Sequence, residues 1–145
     1  MGMAENKNPP RRVAHIGIAV RNLEQSLEFY REALGLEVSE IVDVPDRGMR
    51  IAMMPCGEAV LELMEPTGPD SQIGGFLDKR GPGIHHLCLQ VDDIEAKLGD
   101  LQDKGVEVVS ATPEIGAEGH PVAFIHPRAS GGVLVELLQD EDCHH

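Results

Sequence analysis

The sequence is poor in the residues that nucleic-acid surfaces require. Aromatic residues make up 3% of its 145 residues, with no tryptophan, one tyrosine and three phenylalanines. A stacking platform for single-stranded nucleic acid is therefore not expected. Basic residues are also scarce, because 12 lysines and arginines face 25 aspartates and glutamates, giving a formal net charge of -13 that would repel a phosphate backbone. We therefore expect no nucleic-acid partner.

The sequence also lacks paired cysteines and long apolar runs. Cys56, Cys88 and Cys143 are odd in number and include no Cys-x-x-Cys pair, which argues against a disulfide framework and against a thiolate zinc site. A reducing, cytoplasmic location is therefore expected. No run approaches the roughly 20 consecutive apolar residues of a membrane-spanning helix. Residues 1–12 lack the apolar segment of a secretory signal, so we expect no membrane association.

The length favours one domain with its own core, since two ordinary domains would need a longer chain. We predict a disordered lead-in over residues 1–12, a single domain over residues 13–138 and a tail over residues 139–145. The terminal His144 and His145 are interpreted as the remnant of an affinity tag, and we exclude them from the chemistry.

Two copies of one pattern fill the predicted domain. Aligning His15 with His86 sets an offset of 86 − 15 = 71 residues. The predicted modules are about 13–66 and 84–138. Further pairs at the same offset are Val20 and Val91, Leu23 and Ile94, Glu24 and Glu95, Leu27 and Leu98, and Ile51 and Val122.

Each module is predicted to be a βαβββ unit. An alternating strand, 13–20 or 84–91, precedes apolar residues at helical spacing. Asn22 and Asp92 are expected to cap the two helices, which should end near glycines. The remaining strands are predicted over 37–44, 50–54 and 59–64 in the first module and over 107–110, 122–125 and 133–138 in the second.

The segment 66–83 between the modules carries several glycines and prolines. It is predicted to be a linker with one helical turn around Phe76 and Leu77.

Strand alternation brings four ligand-type residues into equivalent places. Residues two apart share a strand face, so His15 and Gly17 are expected on the face away from the helix, and His86 has the same place in the second module. Glu62 and Glu136 stand between aliphatic neighbours on the last strand of each module, where an unpaired buried carboxylate would be costly. If the modules pair about a pseudo-twofold axis, two histidines and two glutamates point into one cleft.

That set of four residues is suited to a divalent cation. A single histidine or glutamate on a strand is more often structural, but four at symmetry-related places are hard to obtain by chance. Nitrogen and carboxylate ligands without thiolate favour Co, Mn, Ni, Fe or Zn and leave open positions on an octahedral ion. Open positions indicate catalysis. The predicted fold is therefore α+β, with two βαβββ modules and a metal in the cleft, and no organic cofactor is predicted.

Three motifs resemble the methylmalonyl-CoA epimerase family of the vicinal-oxygen-chelate superfamily. They are HIGIAV at 15–20, FLDKRG running into GIHH at 76–86, and HP followed by GGVLVEL at 126–137. The resemblance spans about 13–138. The first motif is shared across the superfamily, and the other two are more typical of the epimerases.

The resemblance implies a glyoxalase-like fold and the epimerisation of (R)- and (S)-methylmalonyl-CoA by metal-assisted α-proton transfer through an enolate. It implies His15, Glu62, His86 and Glu136 as metal ligands, with His86 and not His85 the coordinating member of the pair. Glu136 and Glu62 are the expected acid–base residues. An acyl-CoA substrate and a homodimer are implied as well.

Ile51 departs from the family pattern, because some bacterial members have a glutamate there that is proposed as a catalytic base. Either Glu62 takes that role or the activity differs. The alternative that Glu62 and Glu136 are only ligands stays open. Lys79 and Arg80 are expected at the rim of the cleft. The loop cations available for the phosphates of coenzyme A are Arg47, Arg50, Lys79, Arg80 and Arg128.

Three other functions remain open for the same fold. Glyoxalase I uses the same ligand types on a glutathione hemithioacetal, and dioxygenases of the superfamily need two histidines and one glutamate. A non-catalytic ligand-binding protein, similar to the bleomycin-resistance proteins, belongs to a different class. Retention of four ligand-type residues argues against that last function.

Overall fold

The computed structural model describes residues 8–116 and 119–140. Cys143 and the two terminal histidines lie outside these residues, as does most of the predicted lead-in. The described strands outnumber the helices and are interspersed with them along the chain, which confirms the predicted α+β class. Within the described ranges, no helix is long and apolar enough to cross a membrane.

The chain divides into two compact units. The first unit is Ala14–Leu87, and the second combines the described parts of Met1–Val13 and Cys88–His145. The unit boundaries fall close to the starts of the two predicted modules, at 13 and 84. That the two units form a single domain stays a prediction.

The first unit contains the predicted βαβββ order. The elements are β1 (Arg12–Ala19), α1 (Leu23–Leu27), a π-helix (Glu28–Ala33), β2 (Glu40–Val44), β3 (Met49–Cys56), β4 (Ala59–Pro66) and α2 (Gln72–Arg80). The sheet has the strand order β2-β3-β4-β1, in which β1 and β4 are parallel and the other neighbours are antiparallel. The first two residues of β1 belong to the second unit.

The first helix begins where the sequence predicts. The Asn22 side chain accepts a hydrogen bond from the Gln25 backbone N–H at 2.8 Å, which confirms the predicted cap. The helix does not stay regular, because the Leu34 N–H donates to the Phe29 carbonyl five residues back. Hydrophobic spacing predicts a helix but does not reveal this change of hydrogen-bond register.

The second helix, α2, is longer than the single turn predicted for the linker. The Ser71 hydroxyl accepts from the backbone N–H groups of Ile73 and Gly74, and so caps a nine-residue helix. Ile73 and Leu77, four residues apart, are both buried. Two glycines inside α2 lower its intrinsic helix propensity, so packing of this apolar stripe decides the outcome.

The two faces of the first unit's sheet carry separate apolar clusters. On one face, Val20 and Leu63 pack with Leu23 and Leu27 of α1. On the other face, Ala19 packs with residues of α2 and of the neighbouring strands. This second cluster, called here the α2 cluster, consists of Ala19, Met49, Ile51, Met64, Ile73 and Leu77.

The second unit repeats the strand–helix opening and differs from the prediction in the second strand of its module. The elements are β5 (Gly83–Val91), α3 (Ile94–Asp103), β6 (Glu114–Ile115), β7 (Pro121–Ile125) and β8 (Leu134–Gln139). The sheet order is β5-β8-β7-β6, and β5 contains the boundary between the units. The predicted strand over 107–110 is wrong, since Val108 forms only an isolated bridge with Ile125. The Ser110 hydroxyl donates a hydrogen bond to the Thr112 carbonyl, two residues on.

The cap of α3 is Asp93, so the prediction of Asp92 is wrong by one residue. The Asp93 carboxylate accepts from the Ala96 N–H at 3.0 Å, three residues on, which is the reach of a capping side chain. Asp92 instead accepts from Arg11 at 3.2 Å in an exposed ion pair.

Candidate functional site

His15 and Glu62 lie on one face of the first unit's sheet because of strand register. Gly17 is the register partner of Glu62, and Ala19 is the partner of Met64. His15, Gly17 and Ala19 alternate along β1 and therefore share a face, which is the face covered further along by the α2 cluster. The sequence-predicted orientation of His15 away from α1 agrees with this register.

Three of the four predicted site residues come together within the first unit. The Nε2 atoms of His15 and His86 lie 3.0 Å apart, and the two rings meet edge to face with centroids 5.0 Å apart. A Glu62 Oε2 atom lies 3.6 Å from Nδ1 of His15. His86 is 5% exposed and Glu62 is 7% exposed, so these polar groups are held away from bulk water.

The donor atoms fit a divalent cation. Two nitrogens bound at right angles to one ion, each at about 2.0 to 2.1 Å, are separated by roughly 3.0 Å. That value matches the observed Nε2···Nε2 distance of 3.0 Å between His15 and His86. A nearby carboxylate from Glu62 supplies an oxygen of the type such ions accept.

Gly17 leaves the space that His86 occupies. A Cβ atom at Gly17 would lie 2.2 Å from Cε1 of His86, 2.4 Å from its Nδ1 and 2.9 Å from the sulfur of Met64. These distances are too short for real contacts, so any side chain at this position must displace the imidazole. The glycine therefore belongs to the site as a spacing residue.

Replacing Gly17 with alanine should weaken binding of Co²⁺ by about 10- to 100-fold, the loss typical when a ligand's support is removed. Calorimetric titration of the metal-free protein measures this affinity. Gly75→Ala on α2 is the matched control, because a Cβ there meets nothing within 4 Å. Equal Co²⁺ affinity of Gly17→Ala and the unchanged protein would show that His86 is not a ligand in this position.

Glu136 lies in the second unit on β8. It is 8% exposed and is the register partner of Phe124 on β7. Its neighbour Leu137 packs in the apolar cluster with Leu98 and Val91, so Glu136 faces the other side of its sheet. Burial of a carboxylate between aliphatic neighbours agrees with the predicted pattern.

Ile51 is part of the α2 cluster and is 7% exposed. Its register partner is Met64, while Glu62 is opposite Met53, two residues further along β3. Ile51 therefore lies on the same face as Glu62, and it contributes no group that can transfer a proton.

A short chain of rings next to the histidine pair was missed by sequence reasoning. Nδ1 of His85 lies 3.0 Å from Nδ1 of His86, and the His85 ring meets Phe76 of α2 edge to face at 5.0 Å. The guanidinium of Arg80 lies over Phe76, 5.8 Å from the ring centroid. The only signals in the sequence are the His-His doublet and the four-residue spacing of Phe76 and Arg80.

Two of the predicted coenzyme A cations are already paired with carboxylates. Arg50 lies 3.5 Å from Glu24 and 3.9 Å from Glu65 in the first unit. Arg128 lies 3.3 Å from Glu107 in the second unit. Lys79 and Arg80 form the basic last turn of α2, and their location at the rim of a cleft stays a prediction.

Known proteins resemble this chain over most of its length. The family model of the Glyoxalase/Bleomycin resistance protein/Dioxygenase superfamily matches residues 14–124. Mitochondrial methylmalonyl-CoA epimerase of Mus musculus is 45% identical over 129 residues, covering 88% of this chain and 72% of the relative. An ethylmalonyl-CoA/methylmalonyl-CoA epimerase of Cereibacter sphaeroides is 43% identical over 130 residues, covering 88% and 97%.

Solved structures agree with the sequence relatives. A methylmalonyl-CoA epimerase in complex with methylmalonyl-CoA and NH4+ superposes with a TM-score of 0.81 at 37% identity, covering 92% of this chain and 96% of that one. Sequence identity and coverage this high on both chains indicate membership of one family and not only a shared fold. The chain belongs to the methylmalonyl-CoA epimerase family, within the Glyoxalase/Bleomycin resistance protein/Dioxygenase superfamily.

Proposed function

We propose that this protein interconverts the (R) and (S) epimers of methylmalonyl-CoA. The observation that carries the proposal is the cluster of His15, Glu62 and His86, in a chain that aligns with named epimerases over 88% of its length. One similar solved epimerase holds methylmalonyl-CoA itself. The enzyme is an isomerase.

We propose His15, Glu62, His86 and Glu136 as the residues that hold a divalent metal, with Co, Mn, Ni or Zn as candidates. The Nε2 atoms of His15 and His86 face each other at 3.0 Å, and Glu62 contacts His15. When bound, the cation supplies Lewis-acid stabilisation of the negative charge that develops on the thioester oxygen.

Glu62 and Glu136 are the proposed acid–base pair. A carboxylate on one side of the α-carbon removes the proton, and a carboxylic acid on the other side returns one. Glu62 is held beside the histidine pair, with its Oε2 atom 3.6 Å from Nδ1 of His15. The competing mechanism has both carboxylates as ligands only, with a water molecule or another side chain as the second base.

The residues that bind coenzyme A, the oligomeric state and the cellular location are also proposals. The phosphates of coenzyme A are assigned to basic residues, of which Lys79 and Arg80 were expected in a loop and lie instead in the last turn of α2, the helix that carries Phe76. A homodimer is expected by resemblance. A cytoplasmic location is proposed from the odd number of cysteines and the lack of a Cys-x-x-Cys pair in the sequence.

Proton NMR in heavy water tests the proposed function. With the metal-loaded protein, both epimers of methylmalonyl-CoA should gain deuterium at the α-carbon and interconvert, at a rate well above a control without protein. Removing the metal with a chelator should abolish the enzymatic rate, and adding it back should restore that rate.

The alternative is glyoxalase I, which shares these ligand types. Absence of α-exchange with any acyl-CoA, together with turnover of a glutathione hemithioacetal, would move the assignment to that activity. A protein that binds no divalent metal and turns over neither substrate would instead be a ligand-binding member of the superfamily.

A further inference from the structure

We propose that His85 is a positioning residue that accepts a hydrogen bond from the Nδ1–H of His86 and thereby fixes the tautomer of His86. Their Nδ1 atoms lie 3.0 Å apart, within hydrogen-bond range. The other nitrogen of His86, Nε2, faces Nε2 of His15. The inference rests on the proposed metal role of His86.

A neutral imidazole carries its proton on only one nitrogen. For Nε2 of His86 to offer a lone pair to a cation beside His15, the proton must be on Nδ1 of His86. A metal-ligating histidine almost always donates this second N–H to an acceptor that sets ring orientation and ligand basicity. The Nδ1 atom of His85 fills that role, which requires His85 to carry its own proton on Nε2.

The ring of His85 is itself held in place by α2. Phe76 meets it edge to face, with an interplanar angle of 73°. Phe76 packs against the α2 cluster, and its neighbour Leu77 is 3% exposed within that cluster. The guanidinium of Arg80 lies over Phe76, so a cation–π contact further restrains the ring. The well-capped α2 helix thus has a direct connection to a proposed metal ligand.

Replacing His85 with leucine in the full chain should lower Co²⁺ affinity by about 10- to 100-fold and shift the visible absorption of the bound Co²⁺. His85→Asn offers an amide oxygen as acceptor and should recover most of the affinity and the original spectrum. His120→Asn, a change at a histidine of the second unit that is partly exposed and lies 4.0 Å from Asp140, is the matched control and should leave both unchanged.

The outcomes separate this inference from the proposed function. Failure of the unchanged protein to bind Co²⁺ would overturn the metal role itself. Normal Co²⁺ binding by the unchanged protein, with His85→Leu identical to it in affinity and spectrum, would overturn only the positioning role.

A measurement that needs no variant covers the case in which His85→Leu does not fold. ¹⁵N NMR of the metal-free protein with labelled histidine reports each tautomer. We expect the proton of His86 on Nδ1 and that of His85 on Nε2. The reverse assignment for either ring would overturn the inference.

Discussion

Glu136→Gln should slow enzymatic α-proton exchange of one epimer of methylmalonyl-CoA, the epimer whose α-proton faces Glu136, by roughly 100- to 10,000-fold, the usual contribution of a general base. The carboxamide keeps the shape of the side chain and one oxygen that can still approach a cation. It loses the basicity that proton removal requires. The other residues of β8 are leucines, a valine and a glutamine, so none of them can take over this role from the buried Glu136.

Metal content must be measured beside the exchange rate, since loss of the ion would slow exchange for a different reason. Glu114→Gln, at an exposed position of β6 in the same unit, makes the same chemical change away from the site and should retain full activity. Glu136→Gln with an unchanged exchange rate and a full metal complement would exclude Glu136 as an acid–base residue.

Much of the first unit's architecture could be predicted from sequence because local rules decide it. The alternation of β1, the Asn22 cap and the βαβββ order of elements along the chain follow from residue type and spacing, and the structure confirms them. Helix α2 could not be predicted at its full length, because Gly74 and Gly75 disfavour a helix locally. Helix α2 is stabilised by burial of Ile73 and Leu77 against strands of the sheet, and that packing is not visible in the local sequence.

The contacts of the candidate site could likewise be predicted only in part. His15 and Glu62 were predicted to share a face, and the strand register brings them together. The contact of His85 with His86 was not predictable from alternation, which places consecutive strand residues on opposite faces. It depends on ring orientations set by Phe76, a residue of another element.

The surroundings of Ile51 are apolar. A glutamate at Ile51 would be surrounded by apolar side chains on two strands and α2, where an unpaired charge is costly. Glu62 lies on the same face and is opposite Met53 on the same pair of strands. A shift of the acid–base role from position 51 to Glu62 therefore requires no change in the sheet. The apolar neighbours of Ile51 are Ala19, Met49, Met64, Ile73 and Leu77.

Glu62→Gln tests that shift directly. If Glu62 is the second acid–base residue, the variant should retain deuterium exchange of one epimer, because Glu136 still works on its own face of the α-carbon. Interconversion of the epimers should fall by roughly 100- to 10,000-fold, since no group returns a proton on the opposite face. Proton NMR of each separated epimer in heavy water gives the exchange rate, and a coupled assay that consumes one epimer gives interconversion.

The control is Glu40→Gln, at an exposed position on the edge strand β2 of the same sheet, which should behave as the unchanged protein. A different result would identify Glu62 as a ligand only: exchange of both epimers and interconversion would then fall together, in proportion to a loss of metal affinity. We expect exchange and interconversion to separate, because Glu62 and Glu136 are proposed to act on opposite faces of the α-carbon.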